Sequence, residues 1–382
     1  MSTLPGLPDP MRNQRVDARV SDAHAALLAV RSGTVDAIVT DPPYAIRRPT
    51  AASRISATPV SDLSTDQRAS EWLTYAAAEM LGQQSANWRA KATHSRGYAD
   101  NDPAHFQRWC ELWLSECLRV LKPGGHLIAF GGTRTWHRLA TAAEVVGFEV
   151  RDSLAWMYGT GYPKSLDVGS AVERLLASST RPWDVSEPAV DWRGWGTTLK
   201  PAFEPVVLAR APLDGTVANT VLGHRTGALN IDRIRLEGGR WPTNVFLDED
   251  QARVLDASDD GTVGAEDSRP SRFFWHAKPG RLERERVTIN GITHPTVKPV
   301  ALMRELIRMV TPPDGTVLDP FAGSGTTVEA AIIEGMRCVA FEREASYMPL
   351  IQARINYATR AAAPPVDQTQ AEGQAETQYA LF

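Results

Sequence analysis

The 382-residue sequence contains few cysteines, with only Cys110, Cys117 and Cys338. They show neither the paired spacing of a zinc site nor the even set of a disulfide framework, which disfavours a zinc module and a disulfide-rich secreted domain. We interpret all three as small buried apolar residues. The sequence therefore predicts no metal site.

The sequence also lacks any apolar run approaching the ~18 residues that a membrane span needs. Its N-terminus, MSTLPGLPDPMRNQ, contains no apolar segment resembling a secretion signal. We expect a cytoplasmic protein with no membrane partner. With 43% hydrophobic residues, the chain can bury a substantial core, and its length suggests roughly two or three compact units.

An excess of positive charge is missing as well, because the formal net charge is −4. Contacts to nucleic acid would therefore have to come from local clusters. Residues 269–286 carry a local charge of +4 and interleave it with aromatic rings, which suits phosphates and unstacked bases. Arg47, Arg48 and Arg54 form a shorter cluster, and an ordinary solvated surface is the alternative for both clusters. The candidate DNA-binding residues are Arg47, Arg48, Arg269, Arg272, Lys278 and Arg281.

Short strand patterns alternate with helical patterns along most of the chain, which favours a parallel sheet with helices on both faces. The clearest helix follows Asp102 and Pro103, and its apolar residues recur at helical spacing as far as Leu121. Further helices are predicted around residues 135–146 and in VKPVALMRELIRMV. The predicted strands are HLIAFGG, FEVRDSLAWMY, EPVVLAR, GTVLDPFAGSG and RCVAFERE.

The stretch VTDPPYAIRR, residues 39–48, places two prolines between an acid and an aromatic ring at the end of an apolar run. Prolines end a strand ladder and restrict the backbone, so Asp41 and Tyr44 are held in fixed positions. This arrangement suits a binding or catalytic corner. The alternative is a proline turn in which Tyr44 packs in the core and Asp41 caps a helix.

The stretch LDPFAGSGTT, residues 318–327, places two glycines between a strand and a helix. Gly323 and Gly325 allow a tight turn and a close approach of the backbone to a ligand. The loop lacks the ending of a phosphate-binding P-loop and the three-glycine dinucleotide spacing, so a ligand-free connection is the alternative. Glu342, 17 positions after Gly325, is close to the ~20-residue offset of a ribose-binding acid and favours an adenosine-containing cofactor.

Three motifs in one order carry a specific resemblance: Asp41-Pro42-Pro43-Tyr44, HPTVKP at residues 294–299, and LDPFAGSGTT. The chain resembles the S-adenosylmethionine-dependent amino-group DNA methyltransferases. Because the catalytic tetrapeptide precedes the cofactor loop, it resembles their permuted β class. Matching segments span roughly residues 14–44 and 102–360. The resemblance implies an α/β, Rossmann-like fold with a mostly parallel seven-stranded sheet, helices on both faces and a smaller target-recognition region.

The resemblance also implies a division of the chain. An insert at 45–101 is interpreted either as a mobile loop that orders around DNA or as a simple disordered insertion. Trp192 and Trp195 are interpreted as either cofactor-lid or core residues. The predicted parts are a disordered N-terminus (1–12), a catalytic half (13–210), a target-recognition region (211–290), a cofactor-binding half (291–360) and a disordered tail (361–382).

In this family pattern, Asp41, Pro42, Pro43 and Tyr44 are catalytic. The lone pair of an exocyclic amino group is delocalised into its base, so the nitrogen is a poor nucleophile. Asp41 and the Pro42 carbonyl can accept its two N–H bonds and favour a tetrahedral nitrogen. The base must leave the duplex, and Tyr44 can stack on it with ~1–3 kcal/mol.

The cofactor contacts follow from the same pattern. Asp22 matches the acid that holds the adenine amino group, although Ser21 stands where the family more often has glycine; a helix cap is the alternative. Thr296 and Lys298 match positions near the methionine end, where Lys298 could meet the carboxylate; a helix-start lysine without a ligand is the alternative. The implied cofactor-binding residues are Asp22, Thr296, Lys298, Asp319, Phe321, Gly323, Ser324, Gly325, Thr326 and Glu342.

The resulting hypothesis is transfer of a methyl group to N6 of a flipped adenine in a specific sequence of double-stranded DNA. Adenine is favoured because Asp begins the tetrapeptide, whereas cytosine-N4 enzymes of the family more often begin it with Ser. The alternatives are a cytosine-N4 methyltransferase, a non-catalytic DNA-binding relative and a small-molecule methyltransferase. Candidate further partners are a second copy of the chain and a cognate restriction endonuclease.

Overall fold

The computed structural model describes eleven segments of the chain: residues 11–13, 15–44, 58–72, 103–159, 161, 165–178, 191–257, 270–277, 288–289, 292–294 and 296–362. Most of the predicted disordered ends and much of the 45–101 insert lie outside these residues. Two boundaries need correction. Met11 and Arg12, placed in the disordered N-terminus, pair with a neighbouring strand, and residues 361–362, placed in the tail, end a helix.

Ten strands form one sheet in the described residues, in the spatial order β1-β2-β12-β11-β3-β4-β6-β5-β7-β8, and β9 and β10 form a separate hairpin. The predicted seven-stranded arrangement is its centre, from β2 to β5. Only β1 and β6 run against the other strands. The strands are β1 (Met11–Asn13), β2 (Val16–Val20), β3 (Val35–Thr40), β4 (Leu121–Phe130), β5 (Glu149–Met157), β6 (Phe203–Arg210), β7 (Val245–Asp248), β8 (Trp275–Ala277), β9 (Thr288–Ile289), β10 (Ile292–Thr293), β11 (Thr316–Asp319) and β12 (Arg337–Glu342).

Helices cover both faces of the sheet, as the alternating pattern predicts. Buried residues of α1, α2 and α3, including Leu27, Trp113 and Leu139, form one core. Buried residues of α7, α8 and α9, including Leu306 and Val328, form the other. The helices are α1 (Ala23–Leu28), α2 (Pro103–Val120), α3 (Trp136–Val146), α4 (Val168–Ser178), α5 (Val217–His224), α6 (Glu249–Ala257), α7 (Val300–Val310), α8 (Thr326–Ile333) and α9 (Met348–Ala362). None of the helices within the described segments has the length and apolar character to cross a membrane.

Part of the 45–101 insert packs on the body of the protein. Residues 65–72 are helical. Val60 and Trp72 are buried in the same core as α2. The interpretation of the insert as wholly mobile or disordered is therefore wrong for residues 58–72, because these apolar side chains bury against α2.

The three cysteines are buried free thiols, as predicted. Cys110 and Cys117 lie on the core side of α2, together with Phe106, Trp109 and Trp113. Burial raises the pKa of all three thiols, which suits inert core residues rather than nucleophiles.

Strand direction brings the two principal motifs together. β3 and β11 are parallel neighbours, with Ala37 opposite Val317 and Ile38 opposite Leu318. The chain therefore leaves both strands at one edge of the sheet, here called the carboxyl edge. β3 ends at Thr40, directly before Asp41, and β11 ends at Asp319, directly before the glycine loop. This is the arrangement expected for a ligand site in an open α/β sheet.

The antiparallel strand β6 carries the chain to the other edge of the sheet. Its last residue, Arg210, lies opposite His126 of β4, toward the edge away from Asp41. Beyond it, the Gly124 N–H donates to the Pro212 carbonyl at 2.9 Å. The Thr226 hydroxyl donates to the Pro123 carbonyl at 2.5 Å. The first residues of the predicted target-recognition region, 211–226, thus lie at the edge opposite the carboxyl edge.

Candidate active site

A cavity of about 340 Å³ opens at the carboxyl edge between the ends of β3 and β11. It brings together all four predicted catalytic residues and nine of the ten predicted cofactor residues, the exception being Gly325. The predicted residues that line it are Asp22, Asp41, Pro42, Pro43, Tyr44, Thr296, Lys298, Asp319, Phe321, Gly323, Ser324, Thr326 and Glu342.

The Asp41 carboxylate is bound on one oxygen and open on the other. Lys298 donates from Nζ to Asp41 Oδ2 at 2.5 Å. Asp41 Oδ1 is buried and has no hydrogen-bond partner among the residues that the structure describes. A buried carboxylate oxygen without a donor is costly unless a ligand supplies one. The corner is therefore built with a vacant acceptor.

Tyr44 is fixed at both its backbone and its hydroxyl. Thr135 Oγ1 donates to the Tyr44 carbonyl at 2.5 Å. The Tyr44 hydroxyl donates to Glu204 Oε2 at 2.5 Å and accepts from Lys298 Nζ at 3.0 Å. Burial, with Asp41 and Glu204 nearby, raises the pKa of Tyr44, so the phenol stays protonated.

The Lys298 side chain, at the start of α7, is buried and its ammonium is fully paired with neighbouring oxygens. Its ammonium contacts Asp41 and Tyr44 and lies 3.1 Å from Glu204 Oε2. Burial lowers the pKa of Lys298, whereas the two carboxylates raise it by a larger amount. The pKa of Lys298 therefore lies above its ordinary value. The predicted contact with a cofactor carboxylate stays a prediction, and in this structure the ammonium serves the catalytic corner.

The glycine loop has the backbone conformations that only glycine adopts readily. Gly323 has φ +52° and Gly325 has φ +83°, both left-handed. A Cβ at Gly323 would lie 2.9 Å from His294 Nε2. The loop is braced by Glu342, whose Oε2 accepts from the Gly323 N–H at 2.7 Å. Burial raises the pKa of Glu342.

Asp319 supports this loop from below. Its Oδ1 accepts from Thr40 Oγ1 at 2.7 Å and from the Phe321 N–H at 3.1 Å. The first of these bonds ties the end of β11 to the last residue of β3. Burial raises the pKa of Asp319 to about 6.

Asp22 is a helix cap and also lines the cavity, and its contact with the adenine amino group stays a prediction. It caps α1 by accepting from the N–H groups of His24 and Ala25 at 3.0 and 3.3 Å. It also lines the cavity. Burial raises the pKa of Asp22. A capping carboxylate can still present an oxygen to a ligand, because it holds about four lone-pair sites.

Two tryptophans of the cavity wall were not predicted from the sequence. Trp72 lies between His24, at a ring-centroid distance of 5.2 Å, and Trp109, at 5.7 Å, and both pairs are stacked. Phe321 of the glycine loop lies 5.6 Å from Trp109. An aromatic residue in a polar insert was the available signal for Trp72, and that signal does not specify a contact.

Glu204 was also missed, although it stands in the predicted strand EPVVLAR. A single acid at a strand terminus has no pattern that distinguishes it from a solvated residue. By contrast, Trp192 and Trp195 were singled out as lid or core residues, but their rings pack on each other at 5.0 Å and they are 43% and 58% exposed. The core interpretation is therefore wrong, and neither residue lines the cavity.

The predicted DNA contacts are largely outside the described residues. Arg47, Arg48, Arg269, Lys278 and Arg281 all lie there. Arg272 lies in a 3-10 turn, Pro270–Phe273, and is partly buried. Within the described segments, no cluster of three or more histidine, cysteine, aspartate or glutamate side chains is arranged to hold a metal ion.

Comparison with known proteins decides the family. A family model described as DNA methylase, which represents the N6 and N4 amino-methyltransferases, matches residues 35–353. The chain belongs to this DNA methylase family. It is 28% identical over 266 residues to the type II methyltransferase M.HindIII of Haemophilus influenzae, covering 67% of this chain and 71% of that protein.

Solved structures are similar over most of the chain. The cytosine-N4-specific PvuII DNA methyltransferase is 15% identical with a TM-score of 0.49, covering 94% of this chain and 91% of that one. M1.HpyAVI in complex with S-adenosylmethionine is 16% identical with a TM-score of 0.41, covering 89% of this chain and 100% of that one.

This DNA methylase is an S-adenosylmethionine-dependent amino-methyltransferase, and its cavity fits that cofactor. The volume of about 340 Å³ lies within the ~300–1,000 Å³ of small-molecule sites. Gly323 offers a surface without a side chain where a Cβ would meet His294. Asp22 and Glu342 place carboxylate acceptors on the wall, which suits the amino and hydroxyl donors of an adenosine group.

Proposed function

We propose that this DNA methylase methylates N6 of an adenine flipped out of double-stranded DNA. The observation that carries the proposal is Asp41 Oδ1, a buried acceptor on the cavity lining that has no hydrogen-bond partner among the described residues. S-adenosylmethionine, when bound, supplies an electrophilic methyl group. Everything else in the reaction depends on how the chain holds the amino group and its proton.

Asp41 has two oxygens with separate tasks. Oδ2 is bound to Lys298, which fixes the plane of the carboxylate. Oδ1 then accepts one N–H of the incoming amino group, and the Pro42 carbonyl accepts the other, so the nitrogen lone pair is directed out of the base plane. On methyl transfer, with the sulfur–methyl bond broken and S-adenosylhomocysteine as the leaving group, the nitrogen would become cationic. One of its N–H protons would then pass to Asp41 Oδ1 and on to solvent.

Tyr44 supplies a rigid aromatic surface for the flipped base. Its hydroxyl and carbonyl are both hydrogen-bonded, so little rotational freedom remains to be lost when a base stacks on the ring. Stacking of this kind contributes ~1–3 kcal/mol per base. That energy offsets part of the cost of removing the base from the duplex.

The cofactor residues divide between the two ends of the cavity. We assign Asp22 to the adenine amino group and Glu342 to the ribose hydroxyls, with Gly323 providing the close backbone approach. Thr296, Ser324 and Thr326 are assigned to the methionine end. Lys298 is assigned to the catalytic corner, because its three N–H donors already face three oxygens.

Adenine is proposed as the target because an aspartate begins the tetrapeptide. The test is incubation with methyl-labelled S-adenosylmethionine and unmethylated double-stranded DNA, followed by digestion to nucleosides and chromatography. Label in N6-methyldeoxyadenosine supports the proposal. Label in N4-methyldeoxycytidine would show that the target is cytosine rather than adenine, with the same type of methyl transfer. Cofactor binding without any transfer would indicate a non-catalytic DNA-binding relative.

Membership of the DNA methylase family implies that DNA is a partner. The homodimer and the restriction endonuclease stay predictions. A homodimer is tested by light scattering of the purified protein. A cognate restriction endonuclease is tested by whether DNA modified by this protein resists a nuclease encoded beside it. Sequencing of methylated bases in cells that express the protein would give the recognition sequence.

A further inference from the structure

Glu204 lies beside the catalytic corner because β6 is antiparallel. The strand begins at the carboxyl edge, where Glu204 stands opposite Trp156 of β5. Its Oε2 accepts from the Tyr44 hydroxyl at 2.5 Å and lies 3.1 Å from Lys298 Nζ. The side chain is 19% exposed, and it does not line the cofactor cavity.

Lys298 is shared between two carboxylates. Its Nζ lies 2.5 Å from Asp41 Oδ2 and 3.1 Å from Glu204 Oε2. The Tyr44 oxygen is the third acceptor, at 3.0 Å, and an ammonium has three donors. The Lys298 side chain is only 6% exposed, so water screens these contacts weakly.

We infer that Glu204 is a positioning residue for methyl transfer, acting on Asp41 through Lys298 and on the base-stacking ring through Tyr44. The inference rests on the proposed function. With two carboxylates and one ammonium, the group carries a net negative charge, so Lys298 neutralises Asp41 only in part. Asp41 Oδ1 consequently remains a strong acceptor for an amino N–H.

The second effect of Glu204 is on the ring of Tyr44. The Tyr44 hydroxyl donates its one proton to Glu204, which sets the direction of the ring in the cavity lining. Without that acceptor the hydroxyl would turn to Asp41 or to water. A turn to Asp41 would occupy the acceptor that the substrate needs. A turn to water would leave the stacking ring less firmly held.

The test uses Glu204→Gln, which keeps the shape and one acceptor but removes the charge, and Glu204→Ala, which removes both. For Glu204→Gln we expect kcat for DNA methylation to fall at least about tenfold. The dissociation constant of S-adenosylhomocysteine, measured by calorimetry, should stay within about threefold of wild type, because Glu204 does not line the cofactor cavity. Glu204→Ala should lower kcat further.

A pH profile separates positioning from simple destabilisation. Removing the charge of Glu204 lowers the pKa of Lys298, so the alkaline limb of kcat for Glu204→Gln should move down by about one pH unit or more. A residue that only supported the fold would lower kcat equally at every pH. The profile is measured from about pH 7 to about pH 11.5, because the pKa of Lys298 in wild type lies above its ordinary value, and the melting temperature is recorded at each pH.

Glu149→Gln is the matched control. Glu149 also stands on the β5–β6 pair and bonds a cation, Arg210, with Arg151 3.9 Å away, but at the opposite edge of the sheet. Its kcat and pH profile should match wild type. A wild-type kcat and limb for Glu204→Gln would overturn the inference, as would a uniform loss of kcat that tracks the melting temperature. A wild-type protein that binds S-adenosylhomocysteine but transfers no methyl group would instead overturn the proposed function.

Discussion

Lys298 Nζ lies 2.5 Å from Oδ2 of Asp41, although the two residues are 257 positions apart. The contact leaves Oδ1 of the same carboxylate without a partner in the described part of the chain. Oδ2 of Asp41 is therefore held by the protein, and Oδ1 is available to accept a hydrogen bond from a substrate. This division of one carboxylate underlies the proposed reaction.

Asp41→Ala should abolish methyl transfer while cofactor binding survives. The variant loses the acceptor for the amino group, and removal of one such electrostatic contact costs at least about a hundredfold in rate. Lys298 keeps Glu204 as a counterion, so the fold should persist. Single-turnover transfer of labelled methyl to DNA gives the rate, and calorimetry with S-adenosylhomocysteine gives the affinity. Turnover near the wild-type value would contradict the role of Asp41.

Gly325→Ala should weaken both the fold and cofactor binding. An alanine there would adopt φ +83° and place its Cβ 3.1 Å from Cα and Cγ1 of Ile351 in α9. The left-handed conformation alone costs roughly 1–2 kcal/mol, and the contact adds to it because α9 or the loop must move. We expect urea unfolding to show a loss of more than ~2 kcal/mol and S-adenosylhomocysteine to bind at least about tenfold more weakly.

Gly33→Ala is the matched control for that substitution. Gly33 also has a left-handed φ, +66°, but among the described residues no heavy atom other than those of its chain neighbours lies within 4 Å of its Cβ position. It should lose only the conformational term, roughly 1–2 kcal/mol, and bind S-adenosylhomocysteine as wild type does. Equal effects of the two substitutions would show that the loop does not need the close packing of Gly325 on α9.

Trp72→Phe should weaken cofactor binding. Trp72 is buried, lines the cavity and stacks on Trp109. A smaller ring leaves a gap in the wall, and we expect S-adenosylhomocysteine to bind about five- to tenfold more weakly by calorimetry. Trp241→Phe serves as the control, since Trp241 is 65% exposed and lies outside the cavity lining. Unchanged affinity in Trp72→Phe would mean that the insert contributes nothing to the cofactor site.

Asp319→Asn should stabilise the protein more at pH 8 than at pH 5. Burial raises the pKa of Asp319 from its ordinary 3.8 to about 6. A raised carboxyl pKa means that the folded state resists ionisation, so stability is lost as pH rises from about 4 to about 6. Asparagine cannot ionise and still offers an oxygen to Thr40.

The free energy of unfolding in urea at the two pH values tests this expectation. The difference between variant and wild type should grow by about 1 kcal/mol from pH 5 to pH 8. A constant difference would mean that Asp319 titrates at an ordinary pKa in the folded protein.

Several features followed from local chemistry and were confirmed. The apolar spacing of VKPVALMRELIRMV predicts α7, and Met303, Leu306 and Val310 of that helix are buried. The two glycines of LDPFAGSGTT predict a tight turn, and in the structure both have positive φ. The prolines after Thr40 predict the end of a strand, and β3 ends there. Each of these depends on neighbours within a few residues.

Other features were beyond local patterns. Trp72 reaches the cavity from the middle of a polar insert, because the helical segment at 65–72 packs on α2. The beginning of the predicted recognition region, 211–226, lies at the edge opposite the carboxyl edge, because β6 runs antiparallel to β4. Neither strand direction nor helix docking is encoded in the spacing of nearby residues.

The sequence by itself determined the family motifs, the helices and strands that carry them, and the residue types of the cofactor loop, since backbone restriction and apolar periodicity act over short distances. Tertiary structure alone decided which charges share the corner. Lys298 reaches Asp41 rather than open water, and Glu204 joins them, because sheet order and the reversed direction of β6 bring three distant segments to one edge. Such non-local contacts depend on how the whole core packs, which no short stretch of the chain specifies.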